Sequence, residues 1–297
     1  MKTIICFGEV LWDVLPAGKK LGGAPLNVSL RAQTFGNRAA MISSIGRDRI
    51  GEELADAMKA HGGSLDHLQV SEAFATSEVL VELDENGTAS YEIKMPCAWD
   101  HIVLLERDKE AVKAADAFIY GSLVARSSTS RETLFALLDL ANYKVFDVNL
   151  RPPHYAQERL IDLMKPADFV KFNDEELYEI CSYLEFNDRD LEACISFMAE
   201  QTDTDQICVT LGKDGAVLFY NNAFYYNPGY LVTVADTVGA GDSFLASIIS
   251  QLLNGSPPQD AIDFACAVGS IVASRHGANP EIPDLEIRTM IESQGAK

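Results

Sequence analysis

Short apolar runs alternate with stretches of helical periodicity along most of this chain, and that alternation constrains the fold more than any motif. The runs Thr3–Gly8, Ala39–Ser44, Ala117–Tyr120, Val145–Asn149, Phe169–Phe172 and Gln206–Leu211 read as buried strands. Between and after them, Pro25–Phe35, Gly51–Ala60, Ser130–Ala141, Asp174–Tyr183, Leu191–Gln201, Ala240–Leu253 and Gln259–Ser274 carry apolar residues at helical spacing. Strands that are apolar throughout need cover on both faces, so the pattern predicts an α/β fold: a largely parallel sheet between two layers of helices. Ligands of such sheets bind beyond the carboxyl ends of the strands. At 297 residues and 47% apolar, without repeat, low-complexity tract or linker, the chain reads as one domain over 1–297.

One stretch departs from this pattern. From Ser77 to Met95 the period drops to two, with Val79, Val81 and Leu83 on one face of a first strand and Ala89, Tyr91, Ile93 and Met95 on one face of a second. A two-residue loop at Asn86-Gly87 would pair Leu83 with Ser90 and split the apolar sets. A three-residue loop, Glu85-Asn86-Gly87, pairs Leu83 with Ala89 and Val81 with Tyr91, which unites them. A ribbon of two strands is marginal alone, so its apolar face must cover something: an edge of the main sheet, a ligand, or a second copy of the chain.

Composition removes several functions. The 44 acidic against 24 basic residues give a net charge of −20, which repels nucleic acid and anionic membranes. The six cysteines form no CxxC pair and the five histidines no HExxH spacing, so a zinc site is not expected. The N-terminal apolar run is too short for a secretion signal, and no stretch reaches membrane-spanning length, so the expected location is the cytoplasm.

Two glycine-rich segments each open a helix. The first is Leu21-Gly22-Gly23-Ala24-Pro25-Leu26-Asn27-Val28, preceded by Asp13 on what reads as a strand end; glycines admit close approach, and Asp13 and Asn27 suit a polyol. The second, Asp236-Thr237-Val238-Gly239-Ala240-Gly241-Asp242-Ser243-Phe244, sets unpaired N–H groups and a positive helix end beside Asp242. That is an anion hole with a base next to it, or a loop whose aspartate only caps its helix. The helix dipole should hold Asp242 ionised and so make it a weak base. Asn173 and Glu176 are spaced as a capping box. Gly212-Lys213-Asp214-Gly215 reads equally as a hairpin turn. Lys171 and Arg151 follow predicted strand ends and are candidates to face phosphates, Arg151 the stronger one. No GxxxxGK[ST] occurs, which excludes the P-loop solution.

The two glycine-rich segments resemble the signature regions of the ribokinase-like (PfkB-type) carbohydrate kinases, and the likeness spans essentially the whole chain. It implies a three-layer α/β/α domain with a small β-sheet lid, inserted here at about 10–22 and 77–97, often used for dimer contacts. It implies ATP-dependent phosphorylation of a sugar hydroxyl, with Mg2+ and, in many members, a monovalent cation such as K+. By the same resemblance Asp242 is the general base and Gly239, Ala240 and Gly241 the anion hole. Asp13, Gly23, Asn27 and Arg151 contact the sugar. Asn173, Thr210, Gly212 and Gly215 lie on the nucleotide side. Glu176 acts on magnesium indirectly, Asp236 and Val238 flank a monovalent cation, and His276–Pro280 flanks the adenine or that cation.

The start Gly8-Glu9-Val10-Leu11-Trp12-Asp13 and the Gly22-Gly23-Ala24-Pro25 segment resemble the fructokinase branch most. Leu26, Ser29, Val238 and Trp99-Asp100 depart from common family residues, so 2-keto-3-deoxygluconate and ribose stay as alternatives, with adenosine behind them. A non-catalytic sugar or nucleotide sensor is the alternative of a different class; an intact Asp242 argues against it. A loose phosphoryl-transfer transition state tolerates a weak base, since positioning and charge neutralisation supply most of the catalysis.

Overall fold

The computed structural model describes residues 1–15, 18–83 and 89–294. In chain order the elements are β1 (Thr3–Phe7), β2 (Leu11–Leu15), β3 (Gly18–Gly22), α1 (Ala24–Thr34), β4 (Arg38–Gly46), α2 (Arg49–Ala60), β5 (Leu68–Ser71), β6 (Ser77–Leu83), β7 (Ala89–Ile93) and α3 (Glu106–Ala114). There follow β8 (Ala117–Gly121), α4 (Ser128–Leu138), β9 (Lys144–Asp147), α5 (Gln157–Met164), β10 (Phe169–Asn173), α6 (Asp174–Tyr183) and α7 (Leu191–Thr202). The chain ends with β11 (Gln206–Thr210), β12 (Ala216–Tyr220), β13 (Ala223–Asn227), α8 (Ala240–Leu253), α9 (Pro258–Ala273) and α10 (Asp284–Gln294).

Among the described residues, nine strands form the main sheet in the order β13-β12-β11-β10-β9-β8-β1-β4-β5. It is parallel from β11 to β5 and antiparallel at the β11–β12–β13 edge. Strand alternation sorts its side chains into two cores. Ile4 and Cys6 of β1 and Ile119 of β8 pack with Leu26, Leu30, Leu245, Ile248, Ile249 and Ile262 of α1, α8 and α9. Their neighbours Ile5, Phe7, Phe118 and Tyr120 pack with Leu134, Leu137, Leu160, Leu177, Ile180 and Ile195 on the other side. The expected three layers follow from those two buried faces. All six cysteines are free and buried in these cores.

The period-two stretch joins a separate four-stranded sheet of order β3-β2-β6-β7, not the main-sheet edge. Its register is the one derived from the sequence: Leu83 opposes Ala89, Val81 opposes Tyr91 and Val79 opposes Ile93. The proposed turn Glu85-Asn86-Gly87 lies outside the described residues.

Two strand boundaries depart from expectation. The first strand ends at Phe7, one residue short, and the chain then enters the small sheet where the lid was expected at about 10–22, so Asp13 stands inside β2, opposite Lys20 and beside Val79, and not at a main-strand end. Val145–Asn149 stops at Asp147, because Asn149 takes φ +37°, a conformation no strand accommodates.

Candidate active site

The two glycine-rich helix starts, far apart in sequence, meet at one place. Asn27 in the first turns of α1 donates from Nδ2 to Asp242 Oδ2 at 2.8 Å, and its Oδ1 accepts from Asn279 Nδ2 at 2.9 Å. Arg31, one turn further on, is buried and donates to Ser243 Oγ and to the Pro280 carbonyl. The start of α1 thereby orients the carboxylate of α8. Both helix starts require glycine. Gly23, at φ +112°, would push a Cβ to 2.4 Å from the Glu9 carbonyl, and Gly239, at φ +76°, would push one to 2.5 Å from Ala278 Cα.

Around this junction stand the ends of the main strands. Asp147, at the end of β9, and Lys171, inside β10, are register neighbours on parallel strands and pair at 2.9 Å, both buried. Lys171 therefore lies within its strand, as the predicted run Phe169–Phe172 has it, and not beyond the strand end. Glu9, just after β1, is also buried, and its Oε2 has no hydrogen-bond partner among the described residues. Neither Glu9 nor Asp147 was singled out in the sequence, although each interrupts an apolar run.

Electrostatics at the site run against one expectation. Burial, with the Asp147 charge beside it, pushes the Asp242 carboxyl up to about 6, against the pull of the Asn27 hydrogen bond, Lys171 and Arg151. The depressed value expected from the helix dipole is overturned. Burial likewise lifts Glu9 to about 7 and Asp13 to about 6, each moderated by Arg151. Burial pulls Lys171 down, but the carboxylates of Asp147, Glu176 and Asp242 outweigh it and hold the ammonium protonated. Arg151 itself is exposed and donates to the Leu150 carbonyl, while its charge reaches Glu9, Asp13 and Asp242.

Asn173 and Glu176 form both halves of the capping box of α6: Glu176 N–H donates to Asn173 Oδ1 and Asn173 N–H to Glu176 Oε2, each at 2.8 Å. The other Glu176 oxygen accepts from Leu150 N–H at 2.8 Å. Thr210 is the register partner of Asn173 on β11, which brings those two candidates together. Gly212 and Gly215 flank the short turn joining β11 to β12, as the hairpin reading required; Gly215 is held there by the Asn227 carbonyl, which a Cβ would meet at 1.9 Å. Asp236 caps its own turn, accepting from Val238 N–H at 3.0 Å and Gly277 N–H at 3.1 Å, and pairs with Lys20 of the small sheet at 3.4 Å. Among the described residues no cluster of three or more His, Cys, Asp or Glu is placed to hold a metal, and no helix is long and apolar enough to cross a membrane.

A three-layer domain with a small second sheet, and a carboxylate held beside a glycine-opened helix start, suits a phosphotransferase. The chain belongs to the pfkB family of carbohydrate kinases, whose family model matches residues 3–285. It is similar to a fructokinase of Salmonella typhimurium, 27% identical over 93% of this chain and 94% of that one. A structure of Xylella fastidiosa fructokinase with bound ATP superposes with a TM-score of 0.85 at 25% identity, covering 99% of both chains. The aminoimidazole riboside kinase of Salmonella enterica shares the fold, with a TM-score of 0.81 over 97% of this chain and 99% of that one, at 20% identity. The protein is an enzyme, a carbohydrate kinase.

Proposed function

We propose that this kinase transfers the terminal phosphoryl group of ATP to a hydroxyl of fructose. The observation that carries the reading is the 2.8 Å contact from Asn27 to Asp242, which fixes a carboxylate between two glycine-rich helix starts. In this reading Asp242 accepts the proton of the attacking hydroxyl, whose oxygen bonds to phosphorus as the bond to the ADP oxygen breaks. In the Gly239-Ala240-Gly241 turn the phosphoryl oxygens are received by the glycines, since the Ala240 N–H already bonds the Thr237 carbonyl at 3.2 Å. Asp13, Arg151 and the Gly23 backbone face the sugar; Asn27 has one amide hydrogen left for it. Asn173, Thr210, Gly212 and Gly215 line the nucleotide side.

The magnesium that accompanies ATP would neutralise phosphate charge. Each Glu176 oxygen accepts one backbone N–H, which would hold the carboxylate in place to reach that ion through a water. A monovalent cation at Asp236 and Val238 would have to displace the Lys20 ammonium. The small sheet serves as lid over the sugar and as the surface of a homodimer, in a cytoplasmic enzyme with no nucleic-acid or membrane partner.

Fructose follows from the fructokinase relatives; 2-keto-3-deoxygluconate and ribose are the alternatives. A pocket built to pair with one set of hydroxyls rejects a sugar that misplaces one by about 10²-fold or more. ADP release with Mg-ATP, measured against fructose, ribose, 2-keto-3-deoxygluconate, glucose and adenosine with and without potassium, tests this. Fructose should lead in kcat/KM. A tenfold advantage for another sugar refutes the substrate, and no turnover with any of them supports a sensor instead.

A further inference from the structure

The small sheet and the body of the domain also meet outside the site described above. A cleft of about 380 Å³ lies there between β2 and β3, the helices α1 and α2, and the segment His276–Pro280. Small-molecule sites run from about 300 to 1,000 Å³. Neither Asp13, Asn27 and Asp242 nor Thr210, Gly212 and Gly215 line this one.

Its charge runs against that of the chain. In a protein of net charge −20 the lining carries Lys19, Lys20, His61 and His276 and no carboxylate. A cleft lined by one sign of charge concentrates the opposite sign. Lys19 pairs with Glu78 and Lys20 with Asp236, but both lysines are exposed, where such pairs are worth at most about 1 kcal/mol and an anion can compete for them. His61 Nδ1 donates to the Ala57 carbonyl at 2.9 Å, which leaves Nε2, and the His276 ring has no hydrogen-bond partner among the described residues. The rest of the lining is largely apolar: Trp12, Leu21, Leu30, Ala57 and Pro280. The chemistry that fits is a phosphate on a carbon body.

The segment that closes this cleft also supports the reacting centre. Ala278 abuts Gly239, where an added Cβ would come within 2.5 Å of its Cα. Asn279 donates to Asn27, which donates to Asp242. That is the only side-chain hydrogen bond of Asn279 among the described residues, its Oδ1 being buried without a partner, so its amide follows the segment it stands on. The two lysines belong to the small sheet and the two histidines to the body, so one anion held by both ties the sheet to the segment behind the base.

We propose that this cleft is an effector site for a small organic phosphate, whose binding fixes the small sheet against the 276–280 segment and lowers the KM for sugar. Binding there is independent of the kinase reading above, and only the kinetic effect rests on it.

Trp12 reports on the cleft, since the other tryptophan, Trp99, is fully buried and does not line it. The full chain, without sugar or nucleotide, is titrated with inorganic phosphate, glycerol 3-phosphate and phenyl phosphate while tryptophan emission is followed. An organic phosphate should saturate the change at least about fivefold more tightly than inorganic phosphate, because its body buries apolar surface. Ala57→Glu, which puts a carboxylate in the lining, should weaken that binding at least about tenfold. Lys19→Ala/His61→Ala, changed only at exposed side chains, should do the same and decides the matter should Ala57→Glu not fold. At saturating probe the KM for the best sugar of the panel should fall at least about fivefold in wild type and stay put in the variants, whose activity without probe matches wild type. No saturable change below about 10 mM, or one that a folded variant keeps within about threefold, overturns the site. Tighter binding of inorganic phosphate overturns the organic ligand, and binding that leaves the KM unmoved overturns the effector role. If wild type phosphorylates no sugar, the kinase reading fails, while the fluorescence titration still decides the site.

Discussion

Replacing Asp242 by asparagine should abolish most activity and at the same time stabilise the protein. The carboxyl titrates at about 6, against 3.8 for an ordinary aspartate, a rise of about 2.2 by subtraction. At about 1.36 kcal/mol for each pKa unit, the folded state is destabilised by at most about 3 kcal/mol wherever Asp242 is ionised in both states. The residue keeps part of its surface open to the cleft, so solvent screening reduces the expected gain to roughly 1–2 kcal/mol. The sign follows from the raised value: the penalty is absent below the unfolded pKa, grows as pH rises between the two values and is complete above about 6. Asparagine keeps an oxygen for the Asn27 amide and carries no charge. Urea unfolding at pH 8 should therefore show Asp242→Asn more stable than wild type, with the difference roughly halved at pH 5. Single-turnover assays on the same samples should show phosphoryl transfer slowed by at least about 10²-fold. A variant less stable than wild type at pH 8 would refute the energetic argument, and a folded variant with normal transfer would refute the base.

Three further outcomes are expected. Asp13→Ala should weaken sugar binding about tenfold or more and leave nucleotide binding nearly unchanged, since it removes an acceptor from buried hydroxyls; equal losses in calorimetry would make Asp13 structural. Because the base works ionised and titrates near 6, kcat/KM should climb with pH through about 6, and a flat profile from pH 5 to 8 would contradict the assignment. Gly239→Ala adds a Cβ 2.5 Å from Ala278 Cα at φ +76°, so it should cost about 1–3 kcal/mol in thermal unfolding and impair turnover; an unchanged protein would show that Ala278 yields freely.

The layered fold was legible because burial has a period. Ile4 and Cys6 face one core and Ile5 and Phe7 the other, so an unbroken apolar run could only be a strand covered twice. The register of β6 and β7 was legible for a related reason, since a slip by one residue would have split the apolar faces. Spacing alone did not show that the chain changes sheets after Phe7 and read Asp13 as a strand-end residue, whereas the family resemblance, with lid strands expected at about 10–22, put it in the small sheet. Asn149 was read as strand although asparagine is among the residues enriched at positive φ, because one such residue at the end of an apolar run is too weak a signal to end it. The Asp147–Lys171 pair did leave a mark: each is the one charge within an apolar stretch, Val145-Phe146-Asp147-Val148 and Phe169-Val170-Lys171-Phe172. Adjacent parallel strands place such interruptions side by side.

The Asp242 carboxyl shows why the site itself was harder to read than the fold. A helix N-terminus stabilises a carboxylate by about 0.3–1 kcal/mol, less than one pKa unit, and that was the only effect visible in the local sequence. Burial can move a carboxyl much further, and a like charge acts in the same direction. Both come from residues distant in the chain: Asp147 raises the value, while Asn27, Lys171 and Arg151 moderate it. Burial and the Asp147 charge prevail and leave a carboxyl at about 6, still mainly ionised at neutral pH and a stronger base than free aspartate. Its basicity therefore depends on α1 and on the ends of β9 and β10 as much as on its own helix, and a change at Asn27 should shift the pH profile of a reaction whose base it never replaces.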